Sequence, residues 1–364
     1  MGNNHFGQLG YPIQDSTASL CNEPQIVASL QNSEIVQIGA GAQFSIALTQ
    51  GDLLYAWGRG DCGQLGLGLR ATNEEPQVCN RYISGRVSWF RCGPNTMYVA
   101  TENGRVYCCG DNSQGALGMG QQNIFTELTY NTHLKSRVKD IRPGMSHCIF
   151  LKRDGRLMVS GSNSSGQLGC PDITLSKVPI ESEYFKSANV SIIAAGNFSA
   201  CVLSGKDIFI WGLSKSETSP IKVTISGASL EELALCSNTL LSIDEDRTLW
   251  TIALQGRSSV GVKTGSVEGR AVKAFGVGKG FWIGTVEPIP QKFYLENQFN
   301  STRKHMNTVS QEILRNRAGS RAEGSNKTHD KPPRRSLRYP PELDNRTSAS
   351  HSDRQSASYW GNQQ

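Results

Sequence analysis

Residues 58–68, GRGDCGQLGLG, follow the strand-like run DLLYAW (52–57), and their reading decides the fold. The first six, Gly58 to Gly63, fit G-x-G-x-x-G, the dinucleotide fingerprint. That fingerprint works where glycines end a strand and a helix begins at once, aiming free N–H groups at a pyrophosphate. Here Gly66 and Gly68 would each cost a helix about 1 kcal/mol relative to alanine, and Pro76 blocks a long one. Glu74 and Glu75 stand near the distance of a ribose contact, so the stretch alone does not decide between cradle and turn.

Its copies decide. The same phrase recurs as GNNHFGQLG from Gly2, GDNSQGALG from Gly110 and GSNSSGQLG from Gly161. The other copies lack the second glycine of G-x-G, so the repeat preserves G-x-x-x-x-G-x-L-G and the fingerprint match is accidental. The repeat glycines are Gly58, Gly63 and Gly66, then Gly110, Gly115 and Gly118, then Gly161, Gly166 and Gly169. Upstream of each full copy comes a glycine, a short apolar run, a turn and a second run. The leading glycines Gly41, Gly93, Gly144 and Gly196 are spaced by 52, 51 and 52 residues. Two worn copies follow at 234–253 and 275–288. A fixed period of this length marks a repeat architecture.

Each copy reads as β. Runs such as FSIAL and LLYAW are too short for a stable helix and rich in β-formers. Asn103-Gly104 and Asp154-Gly155 lie between two runs, the strongest short hairpin signal, and predict type I′ turns. Four-strand units that cannot bury their own faces call for a circular array, an all-β propeller over about 1–288 with near-zero helix and five complete blades. Trp57, Tyr107 and Trp250 are expected to pack between blades.

These strands and endings resemble the regulator of chromosome condensation repeat, strongly in the first four units and weakly after Pro220. Phrases such as GSNSSGQLGCP and TENGRVYCCG are similar to the secretion-regulating guanine nucleotide exchange factor branch. The resemblance implies a seven-bladed propeller, whereas the repeat region here suits six blades or an incomplete seven. It also implies a small GTPase as partner, without covalent chemistry. In the chromatin-bound member of the family, the loop after the leading glycine contributes to the GTPase-facing surface, with an acidic residue two positions after one of those glycines. The matching residues here are Gln43, Asn95, Ser146, Phe198, Asn238 and Gly280, none of them acidic. Phe44, Phe198 and Phe281 are candidate anchors in the same loops, unless they turn into the blade seams. His147 sits there too and reads better as packing.

Composition narrows the class. Glycine supplies 38 of 364 residues, above the usual share of about 7 per cent, as repeated turns require. All ten cysteines lie in the repeat region, with no C-x-x-C pair and no Cys/His cluster at metal spacing, so buried reduced thiols are expected and no metal or cofactor. Without a signal-like leader or a bilayer-spanning apolar run, the chain is expected in the cytoplasm, with the nucleus second, and as a monomer. No H-E-x-x-H, G-x-S-x-G or P-loop is present, which argues against an enzyme. The reading divides the chain into a propeller, 1–290, and a polar, disordered Ser/Arg-rich tail, 291–364. The tail holds 13 Lys/Arg and 7 Asp/Glu, which is the whole net charge of +6. A short helix at Met306–Arg317 fits its pattern. Dispersed arginines usually just solvate, so nucleic-acid contact is the minor expectation for this tail. Two functions stay open: a GTPase regulator or exchange factor, and a scaffold that binds a protein without exchange.

Overall fold

The structure, a computed structural model, describes residues 2–12, 20–134, 138–212, 218–223, 230–236, 239–244, 248–255, 258–266, 272–277 and 281–286; beyond Ser242 it describes backbone alone. All of these belong to the compact unit Met1–Ile289. The tail, with its expected helix, lies outside the described residues.

Five sheets of four antiparallel strands follow one another along the chain. The first holds β3 (Ile35–Ala40), β4 (Phe44–Thr49), β5 (Leu54–Gly58) and β6 (Asn73–Val78), after the short pair β1 (Gly2–Asn3) and β2 (Leu20–Cys21). The second holds β7 (Val87–Cys92), β8 (Thr96–Thr101), β9 (Val106–Asp111) and β10 (Ile124–Tyr130). The third holds β11 (Val138–Pro143), β12 (His147–Lys152), β13 (Leu157–Ser162) and β14 (Leu175–Glu181). The fourth holds β15 (Val190–Ala195), β16 (Ala200–Ser204), β17 (Asp207–Trp211) and β18 (Ile221–Val223). The fifth holds β19 (Leu230–Cys236), β20 (Thr239–Asp244), β21 (Thr248–Gln255) and β22 (Ser258–Ser266), and a pair follows, β23 (Val272–Val277) with β24 (Phe281–Val286). Each sheet is a meander in chain order. The first strand of each sheet lies beside the first strand of the next, from β3 through β23, which is the inner-strand arrangement of a β-propeller. Two three-residue 3-10 turns, Ala28–Leu30 and Glu183–Phe185, are the helical content among the described residues.

The second strands explain the unbroken apolar runs. β8 and β12 are buried at every position because sheets stack on both of their faces. Alternate residues then serve opposite seams. Phe44, Ile46, Leu48, Leu54 and Ala56 of the first blade meet Val87, Phe90, Met97 and Val99 of the second. Tyr98, Ala100 and Cys108 of the second meet Ile141, Cys148 and Phe150 of the third. Ile149, Leu151 and Val159 meet Ile193, Val202 and Trp211, and a fourth cluster joins the next pair of blades. Tyr107 packs in the first of these seams as expected, Trp57 packs against Leu30 and Ala47 outside them, and the Trp250 side chain lies outside the description.

The first strand of each four-stranded sheet carries a β-bulge at the same place, with the register slipping between Ile35 and Gln37, Val87 and Trp89, Val138 and Asp140, Val190 and Ile192, and Leu230 and Glu232, whereas β23 pairs with β24 in unbroken register. Such bulges increase local twist, which the blades share around the ring. The hairpins are as expected but their turns are not type I′. Asp52 is the only non-glycine with positive φ among the described residues, so Asn103 and Asp154 are not left-handed. Instead Gly104 alone takes φ 84, with its N–H on Thr101 O and Thr101 N–H on Arg105 O, a longer loop closed by a left-handed glycine. The Asn103 side chain explains the choice: its Oδ1 accepts from Thr101 Oγ1 and Arg105 N–H while its Nδ2 donates to Ser84 O, tying the hairpin to the preceding loop.

Candidate partner-binding face

The repeated nonapeptide is a clasp between blades. In all four copies its first, sixth and ninth glycines have positive φ; Gly63 and Gly115, the sixth residues, stand at φ 74 and 73. A side chain there would be strained, and a Cβ would come within 2.7 Å of Phe125 O or 2.9 Å of Ser176 O, both on the next blade. The seventh residue turns its carbonyl to the next blade as well. Gln8 O accepts from Trp57 Nε1 at 3.0 Å and Ser45 Oγ at 2.8 Å. Ala116 O accepts from Ser160 Oγ at 2.8 Å and Gln167 O from Trp211 Nε1 at 2.9 Å. The residue before the first glycine of one copy is therefore the donor that reaches back to the preceding copy.

Sequence reasoning missed the third position. Asn4, Asn112 and Asn163 occupy it, and each bridges its own loop: Oδ1 accepts from Leu9, Leu117 or Leu168 N–H, and Nδ2 donates to Tyr11 O, Gln121 O or Cys170 O. Gly60 fills the fourth copy because a Cβ there would run into Ala71 O. The G-x-G of the apparent nucleotide fingerprint is thus the copy that lost its asparagine. Three asparagines in four copies were the signal.

The loops after the leading glycines gather on the face where the nonapeptides begin. Ala42 N–H donates to Pro94 O, and Met145 N–H to Asn197 O, linking neighbouring blades at 3.1 and 3.0 Å. Arg59, Asp111 and Ser162 N–H groups donate to Gln43, Asn95 and Ser146 O at 2.8, 3.0 and 2.9 Å. Gln43 is half-buried with its Oε1 on Arg59 Nη1, and Arg59 also pairs with Asp61 at 2.7 Å. The arginine bond holds the Asp61 carboxyl below its ordinary range. Asn95 and Ser146 are half-buried, and Ser146 Oγ accepts from Gln167 Nε2. Phe198 is 48% exposed.

Two candidates turn inward instead. Phe44 and His147, at equivalent positions with Thr96 and Ser199, are 1% and 0% exposed, so neither offers a partner surface. Their leading glycines are the cause: a Cβ at Gly41 would run into the Phe44 ring and one at Gly144 into the His147 ring. Burial pushes the His147 pKa down to about 4, against a smaller opposing interaction with the Ser199 backbone. Phe281 heads β24 with its side chain undescribed, and Asn238 and Gly280 lie outside the described residues. Asp111, half-buried beside Asn95, and Met145, 57% exposed beside Phe198, join the face although the sequence did not single them out.

Models of the "Regulator of chromosome condensation (RCC1) repeat" match residues 1–48 and 52–98, and 35–64 and 91–116. The chain carries regulator of chromosome condensation repeats. These repeats are shared with the ultraviolet-B receptor UVR8 of Arabidopsis thaliana, 29% identical over 232 residues, 60% of this chain and 53% of that one. They are shared with the X-linked retinitis pigmentosa GTPase regulator of Homo sapiens, 32% identical over 152 residues, 41% of this chain and 15% of that one. The chain thus spans about half the length of the first relative and far less of the second. In fold it is similar to Prp20p of Saccharomyces cerevisiae, described with its binding to Gsp1p and histones, at a TM-score of 0.59 and 19% identity over 69% of this chain and 65% of that one. The expected burial of the thiols holds in part: Cys79, Cys108, Cys109, Cys148 and Cys201 are free and buried, and burial pushes Cys79, Cys108 and Cys201 up to about 12, whereas Cys21, Cys62, Cys92 and Cys170 are free and only partly buried. No helix among the described residues is long and apolar enough to cross a membrane.

Proposed function

We propose that the propeller is a protein-interaction module that regulates a small GTPase through the face built by the leading-glycine loops and the nonapeptide starts. The observation that carries it is the convergence of Gln43, Asn95, Ser146 and Phe198 on one face, stitched blade to blade by backbone hydrogen bonds. A rigid, wide ring of loops suits a protein surface better than a small substrate. The GTPase regulator among the relatives and the partner-binding Prp20p support the class of partner. An exchange factor acts by binding the nucleotide-free GTPase better than the loaded form. The loop positions themselves hold no carboxylate, but Asp111 stands beside Asn95 and supplies one from the neighbouring loop. The tail, 291–364, carries the net charge of +6 and adds long-range attraction.

The test is release of fluorescent GDP from a panel of purified small GTPases with and without the full chain. Accelerated release that drops with Asp111→Asn supports exchange. Binding without acceleration supports the second reading, a non-exchanging scaffold, which the missing loop carboxylates favour. Deleting the tail should lower the association rate and its salt dependence more than it changes dissociation, because screening at physiological salt acts over about 8 Å. Binding retained wholly by the isolated tail would sink the propeller-face reading.

A further inference from the structure

The seam between the third and fourth blades opens onto this face with a chemistry the other described seams lack. Met145 and Phe198 sit in adjacent loops joined by the Met145 N–H to Asn197 O bond, and both side chains stand about half exposed. Their equivalents are Ala42 and Asn95 between the first and second blades and Pro94 and Ser146 between the second and third, which pair a methyl or a ring with a half-buried amide or hydroxyl. Three residues before Met145, Arg142 is the penultimate residue of β11. Its Nε donates to Asp140 Oδ2 at 2.9 Å, while Nη1 and Nη2 make no hydrogen bond to any described residue. Its side chain is 35% exposed, and β11 lies beside β15, the strand that runs into the Phe198 loop. Arg142 therefore belongs to the same seam.

Asp140 cannot neutralise it alone. The other oxygen, Oδ1, accepts from Arg91 Nε at 3.0 Å and forms an ion pair with its Nη2 at 2.9 Å, so one carboxylate serves two guanidinium groups. A half-buried cation with unused planar donors favours a carboxylate, which it can grip at two points. An exposed methionine beside an exposed phenylalanine favours an apolar side chain, since such pairs adapt to varied shapes and anchor interfaces.

We propose that this seam mouth is a docking site for a protein segment in which an Asp or Glu lies next to a large apolar residue, the carboxylate on Arg142 and the apolar side chain between Met145 and Phe198. The assignment deepens the partner-binding reading and rests on it; it names the element on the partner that the face recognises.

The experiment selects a random peptide library displayed on phage against the immobilised full chain, then measures the selected peptides on variants by fluorescence anisotropy. Peptides enriched in Asp or Glu beside Leu, Phe or Trp are expected. Their affinity should fall by about tenfold in Phe198→Ser and in Arg142→Gln, the loss of one well-formed contact. Phe198→Ser and Met145→Ser change exposed loop residues, so they keep the test open if Arg142→Gln does not fold. Tyr82→Ser, at an exposed site on a different loop, should change nothing. Selected peptides without the acidic–apolar pairing, or with affinity unaltered by Phe198→Ser and Met145→Ser, overturn the proposal. The outcome is separable from the GTPase reading. A GTPase that binds the face with Phe198→Ser and Arg142→Gln unaffected sinks this site alone, and peptide docking without any GTPase binding sinks the GTPase alone.

Discussion

His147 shows how one position in the repeat is tuned by its neighbours. The slot holds Phe44, Thr96, His147 and Ser199 in successive blades, always under the leading glycine. In the third blade it buries an imidazole whose pKa of about 4 is below the value of about 6.5 that the unfolded chain would show. The unfolded state therefore takes up the proton first, and stability should fall as pH drops from about 6.5 to 4, by up to about 3 kcal/mol, and stay flat above that window. Denaturant titrations at a series of pH values check this, and His147→Phe, the residue the first blade uses, should remove that part of the pH dependence. Asp61 and Asp154, held below their ordinary range by arginine partners, act under that window. Asp52 is the second residue with a measurable signature. It holds φ 65 in the position where the next hairpins place Gly104 and Gly155, and its Oδ1 accepts from Val87 N–H at 2.8 Å. Asp52→Ala keeps the left-handed backbone and loses that bond to the second blade, so urea unfolding should show a loss of about 2 kcal/mol.

At the scale of the element, the nonapeptide was legible and its working was not. The 52, 51 and 52 spacing, the short apolar runs and the recurrent glycines were enough to place strands, hairpins and a ring. The third-position asparagine went unread because Gly60 replaced it in the copy that looked most like a nucleotide site. The turn type was misjudged because Asn103 spends its side chain on Thr101, Arg105 and Ser84 rather than on a left-handed backbone. The first-strand bulges leave no motif at all, since Val36, Ser88, Lys139, Ser191 and Glu231 share only their place beside the slip. The clasp makes two further predictions. Gly115→Val should destabilise the fold by more than about 1 kcal/mol, from the positive φ and the approach to Ser176 O, and a thermal midpoint equal to wild type would contradict it. Asn112→Ala leaves the buried Leu117 N–H without its acceptor and should cost about 2 kcal/mol in chemical denaturation, whereas Gly60→Asn should not stabilise, because its Cβ meets Ala71 O before any bridge can form.

For the whole molecule, the same clasp that joins blades also presents the loops between them, so architecture and binding surface share residues. That is why the candidate site was only partly legible. Loop positions could be counted from the repeat, but which side chains turn out depends on packing under each glycine. Phe44 at the head of β4 and Phe198 in the loop before β16 stand one position apart in the repeat, and only the second reaches solvent. The most direct measurement of the central claim is hydrogen–deuterium exchange of the full chain, alone and with the nucleotide-free small GTPase that binds it best. The account predicts slowed exchange in 41–44, 93–96, 144–147 and 196–199 and at the nonapeptide starts 58–61 and 110–113, with the hairpins 49–54, 101–106 and 152–157 unchanged. Protection confined to those hairpins or to 291–364, or no GTPase that binds, would contradict it.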